Sequence, residues 1–201
     1  LDKWVITNAM RLLKTHPEFL NRIDFISINL SGQSITDERF LEFVLKEIHS
    51  LKNSASKICF EITETAAISN LLLAGKFISE LRKFGCRFAL DDFGSGLSSF
   101  GYLKNLAVDY LKIDGAFVKD IVCDPIDRAM VKSINEIGQV MGMETIAEFV
   151  ESEEIKMMLK EIGVNYAQGF AIHKPQPFIE LLTEESDTKD SNSSKVQPHT
   201  K

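Results

Sequence analysis

The chain has 201 residues, 44% of them apolar, and a formal net charge of −6, with an isoelectric point near 5.3. That acidity excludes a protein gripping a nucleic-acid polymer through a basic surface, but it leaves room for a small phosphorylated ligand held through divalent cations. The length suits one domain around one core, and no apolar run nears the roughly 18 residues that a membrane span needs.

The opening "LDKWVITNAMRLLK" is amphipathic and reads as a helix; with Leu1 first and no apolar leader, it suggests a piece of a longer polypeptide. From residue 24 short apolar runs alternate with longer amphipathic ones. Strands are expected at 24–29, 57–62, 86–91, 109–114, 144–149 and 165–170. Helices are expected over "DERFLEFVLKEIHSL", over "NLLLAGKFISELRKFG" ending at Gly85, from Pro125 through "PIDRAMVKSINEIGQVMGM", and over "SEEIKMMLKEIG" from Ser152 to Gly163. This alternation predicts an α/β fold of parallel strands with right-handed crossovers, undivided over residues 1–183. Residues 184–201 lose periodicity and apolar content, and read as a disordered tail.

Cys59, Cys86 and Cys123 show neither a disulfide framework nor zinc spacing, and are expected as buried free thiols in a reducing cytoplasm. The four histidines are scattered, so any metal site must rest on oxygen ligands.

Each expected strand carries a polar residue at or near its C-terminal end: Asn29, Glu61, Asp91 with Asp92, Lys112, Glu148 and Gln168. Six such ends would converge on the mouth of a β/α barrel, whereas a doubly wound sheet would spread them along an edge. Carboxylates with an amide oxygen select hard cations such as Mg²⁺ or Mn²⁺, and an adjacent acid pair can bridge two ions. Lys112 can stabilise developing negative charge or orient a water, and Glu148 can take a proton from it. The "DDFGSG" turn lacks the Lys-Ser/Thr of a phosphate loop and reads instead as an adjustable loop beside the acid pair.

The segments "INLSGQ" (28–33), "FEITE" (60–64), "LDDFGSGLSS" (90–99), "DYLKIDGAFV" (109–118), "TIAEFVE" (145–151) and "AQGFAIHKPQP" (167–177) together resemble the EAL domain, the bacterial phosphodiesterase that linearises cyclic di-GMP. The resemblance covers residues 1–183 and implies a TIM-type (β/α) barrel, incomplete here, with about six of eight strands present. By position, Asn29, Glu61 and Asp91 resemble ligands of a first metal, and Asp91 with Asp92 the pair that recruits a second. Lys112 resembles the lysine that holds the attacking water, and Glu148 the general base or water-positioning group. Gln168 resembles the glutamine beside the metals, and Glu64 the glutamate that braces the loop after the aspartates. The resemblance further implies a cytoplasmic, metal-dependent (Mg²⁺ or Mn²⁺) hydrolase acting on cyclic di-GMP to give pGpG, a homodimer, and an upstream sensory or cyclase domain. The alternative it leaves is a non-catalytic module, or inactive fragment, that binds cyclic di-GMP or a partner protein as a receptor. Two departures stand out. Phe149 occupies a position where the family usually has Gly, and the Glu-Ala-Leu segment with its metal-ligating glutamate is absent. Six strands with open edges would be expected to self-associate or to need the missing segment.

Overall fold

The computed structural model describes residues 1–96 and 100–183, so the expected tail and part of the loop after the aspartates lie outside the described residues. The described chain falls into two compact units, residues 1–91, 96 and 100–109 in the first, and 92–95 and 110–183 in the second.

The first unit runs α1 (Asp2–Thr15), α2 (Pro17–Leu20), β1 (Ile26–Leu30), α3 (Gly32–Ile35), α4 (Glu38–His49), β2 (Ile58–Thr63), α5 (Glu64–Ser69) and α6 (Leu71–Arg82), and it includes most of β3 (Arg87–Phe93). Its strands pair in parallel, β1 with β2 and β2 with β3, as the β/α alternation predicts. Alternation along each strand divides the residues between two faces. Ile28, Leu30, Phe60, Ile62, Phe88 and Leu90 fill the apolar one and are all buried. Helices α4 and α6 supply the opposing layer through Phe40, Val44, Ile48, Phe77, Ile78 and Leu81. Their rings interlock: Phe40 stacks on Phe77 at 6.1 Å, and Phe77 meets Phe88 edge-on at 6.3 Å. Each such side chain contributes about 1.5–3 kcal/mol by leaving water. Helix α4 starts where Asp37 accepts a hydrogen bond from the Arg39 amide at 2.9 Å, an N-cap that satisfies one otherwise orphaned donor.

The second unit contains β4 (Tyr110–Ile113), α7 (Gly115–Val118), α8 (Pro125–Val140), β5 (Glu144–Ala147), α9 (Glu153–Ile162), β6 (Tyr166–Ala167) and α10 (Phe178–Thr183). Strand β5 pairs in parallel with β4 and with β6. The sixth strand is shorter than expected because the chain turns at Gly169, whose backbone lies against that of Val150. Pro125 opens α8 behind the cap Asp124, and Gly163 closes α9 in the left-handed conformation, both as the sequence predicts. Helix α8 packs closely on β5 at Gly138, where a Cβ would come within 2.9 Å of Thr145 Cγ2. Beside it, Thr145 Oγ1 donates to Asn135 Oδ1 at 2.6 Å and Asn135 Nδ2 donates to the Ile162 carbonyl at 3.2 Å. These buried polar groups are therefore satisfied.

One expectation is corrected. Cys59 and Cys86 are buried, but Cys123 is exposed, because it falls in the turn just before the cap of α8 and not on an apolar face.

Candidate active site

Asn29 on β1 is the register partner of Glu61 on β2, and Thr63 that of Asp91 on β3. With a side-chain period of two, Asn29, Glu61 and Asp91 project from the same face of these strands, opposite the Phe60–Phe88 core. Asn29 is exposed and Asp91 half-buried, whereas Glu61 is buried. The polarity of that face also shows at Cys59. Its thiol pKa is raised, first by burial and then by the Glu61 and Asp109 carboxylates.

In the second unit Lys112, on β4, is 3% exposed, and its Nζ lies 2.8 Å from Glu148 Oε1. Glu148 follows β5, where its amide donates to the Ile113 carbonyl at 3.3 Å. Gln168 follows β6, exposed, with its amide donating to the Ala147 carbonyl at 2.8 Å. Lys112, Glu148 and Gln168 thus share one parity at the C-terminal ends of consecutive strands.

Asp92 and Glu148, both in the second unit, come together: each offers one carboxylate oxygen, and the two oxygens lie within 4.8 Å of each other. Consecutive residues of an extended strand point to opposite faces, so an adjacent acid pair needs a backbone break to act on one centre. The break is at Asp92, whose φ is +54°; Asp tolerates this left-handed conformation better than most residues. Two carboxylates so close repel each other unless a cation intervenes. The Lys112 ammonium supplies part of that charge, and the all-oxygen donor set fits a hard divalent ion. Within the first unit, Glu61 lies one strand from Asp91 and is the register partner of Asn29.

Glu64 is 3% exposed and accepts a hydrogen bond from the Tyr102 hydroxyl at 2.6 Å. Tyr102 lies in the 3₁₀ turn Phe100–Asn105, beyond the glycine-serine loop, and its hydroxyl pKa is raised by burial and by Glu64. Tyr102 was not legible as a site residue, since an aromatic in a polar loop carries no local sign of a partner far along the chain. Phe149 also has a positive φ, of 53°, directly after Glu148.

An EAL-domain family model matches residues 1–175. The chain is 49% identical, over 88% of its length, to the cyclic di-GMP phosphodiesterase PdeB of Shewanella oneidensis. It is 40% identical over 88% to the cyclic di-GMP phosphodiesterase PdeA of Borreliella burgdorferi. It spans only 21% and 26% of those two proteins. Among solved structures, the EAL domain of Mycobacterium smegmatis DcpA superposes with a TM-score of 0.84 at 30% identity, covering 91% of this chain and 82% of that one. The PaMucR phosphodiesterase in complex with c-di-GMP superposes with a TM-score of 0.82 at 30% identity, covering 89% and 72%. The fold is thereby a TIM-type (β/α) barrel, incomplete here, with six parallel strands among the described residues.

Proposed function

The chain belongs to the EAL-domain family, and from that premise we propose that it carries out divalent-metal-dependent hydrolysis of cyclic di-GMP to linear pGpG. The observation that carries this reading is the meeting of the Asp92 and Glu148 carboxylates within 4.8 Å, with Lys112 held 2.8 Å from Glu148.

Asp91 and Asp92 would hold Mg²⁺ or Mn²⁺, with Asn29 and Glu61 as further ligands. Bound there, such ions would supply Lewis-acid polarisation of the phosphodiester and a lowered pKa of water. Lys112 fixes the attacking water and offsets charge growing on the phosphoryl oxygens. Glu148 orients that water or takes its proton, kept in place by the same lysine. Gln168 adds a neutral polar group beside the acids. Glu64, tied to Tyr102, braces the loop that follows Asp92.

Every acidic, amide and lysine position matched above is retained, which favours an enzyme over a receptor that has lost its catalytic groups. As proposals from the family, the working unit is a cytoplasmic homodimer with an upstream sensory or cyclase domain, and residues 184–201 form a tail outside the catalytic domain.

The test is conversion of cyclic di-GMP to pGpG by the full natural polypeptide, with Mg²⁺, with Mn²⁺ and with chelator. Metal-dependent turnover that Asp91→Asn and Glu148→Gln each nearly abolish is expected. Tight cyclic di-GMP binding without turnover would overturn the enzyme reading in favour of a receptor.

A further inference from the structure

Among the described residues only Asp92 and Phe149 are non-glycine residues in the left-handed conformation. Asp92 has a use for it, in the acid cluster. Phe149 is a bulky residue for which this backbone is disfavoured, and it is 59% exposed, so ordinary core burial does not hold it there.

The chain on either side is pinned. The Glu148 amide donates to the Ile113 carbonyl at 3.3 Å, and the Val150 amide to the Gln168 carbonyl at 3.0 Å. The Ala171 amide donates to the Val150 carbonyl at 2.9 Å. Between these anchors the Phe149 ring lies on Gly115. A Cβ at Gly115 would stand 2.1 Å from Phe149 Cδ2, 2.6 Å from Cγ and 2.9 Å from Cβ. Because even Cβ would be too close, swinging the ring aside would not make room; the left-handed backbone itself would have to move. Gly115 has no positive φ of its own, so its missing side chain serves this contact and not a turn.

The two contacting residues have a shared relation to the ion pair. Phe149 directly follows Glu148, and Gly115 follows Lys112 by one short turn. We propose that Phe149, seated on Gly115, is a positioning residue: an apolar clip between the segments after Lys112 and Glu148 that sets the carboxylate against the ammonium. For its catalytic consequence this rests on the reading given under Proposed function.

The experiment compares Gly115→Ala, Phe149→Ala and the double variant Gly115→Ala/Phe149→Gly in the full natural polypeptide. It reads kcat and KM for cyclic di-GMP and, separately, the Lys112–Glu148 distance in crystal structures. Gly115→Ala and Phe149→Ala should each lengthen the pair beyond hydrogen-bonding distance. Each should also lower kcat by about tenfold or more with KM little changed, the mark of misplacement and not of lost substrate contact. The double variant should recover most of kcat, since glycine adopts the left-handed turn without an anchor. If the pair stays at hydrogen-bonding distance in both single variants, or if KM alone rises, the clip is refuted. If the wild type hydrolyses nothing, the proposed function fails, and the distances still decide the clip. Should Gly115→Ala not fold, Phe149→Ala carries the same test with no added bulk.

Discussion

Replacing Lys112 by Met removes the ammonium that faces Glu148 and leaves the rest of its stem packed. The two side chains are 4% and 13% exposed and meet at 2.8 Å. At an effective dielectric of about 20, unit charges at that separation attract by about 6 kcal/mol before desolvation is counted. Desolvation cancels much of this, but breaking a buried pair from one side costs about 3–5 kcal/mol, because the other charge stays buried. Here the stranded charge lies within 4.8 Å of the Asp92 carboxylate, which adds like-charge repulsion. At about 2–4 °C per kcal/mol for a chain of this size, Lys112→Met should melt about 6–20 °C lower. The assay is thermal melting by circular dichroism in EDTA, so that no bound cation replaces the lysine. Lys112→Met/Glu148→Met should recover much of the loss, since no charge is left unpaired. A single variant within about 2 °C of wild type, or a double variant no better than the single, would refute this account of the pair.

Gly169→Ala would place its Cβ 2.3 Å from the backbone N and O of Val150, atoms that cannot swing away. It should cost about 3 kcal/mol, the upper end for overpacking, read as a lower urea midpoint. Tyr102→Phe deprives the buried Glu64 of its 2.6 Å hydrogen bond and should cost about 1.5–3 kcal/mol in the same assay; an unchanged midpoint would show that Tyr102 braces nothing. Burial pushes the Cys86 thiol up to about 12 and raises that of Cys59 as well. At pH 8 a thiol reagent should therefore label the exposed Cys123 and leave the other two until the protein unfolds. The sign for stability follows. Above about pH 9 the unfolded thiols lose protons that the folded ones keep, so stability falls by about 1.4 kcal/mol per pH unit for each buried thiol. A urea midpoint that does not fall between pH 9 and 10 would contradict it.

The strand ends were the legible part of the site. Asn29, Glu61, Asp91, Lys112 and Glu148 could be singled out because a polar residue at the end of an apolar run is a local pattern. Parity then places Asn29, Glu61 and Asp91 on a common face, as the register shows. Helix limits at Pro125, Ser152 and Gly163 were legible for the same reason: a cap acts on backbone groups within a turn of itself. What escaped were relations between distant segments. The Tyr102–Glu64 bond and the Phe149–Gly115 contact leave no mark on the residues beside either partner. The exposure of Cys123 escaped too, since apolar neighbours in sequence are not neighbours in space when they lie in a turn.

The amino-acid sequence alone determined a parallel α/β chain whose strand ends carry the groups for oxygen-ligated metal chemistry, because periodicity, caps and strand-end polarity are short-range properties. Only the tertiary structure decided which of those groups meet. The left-handed turn at Asp92 accompanies its approach to Glu148, and Lys112 is held against Glu148 with Phe149 folded onto Gly115. Those outcomes depend on backbone torsions and packing across strands, where segments far apart in sequence constrain one another.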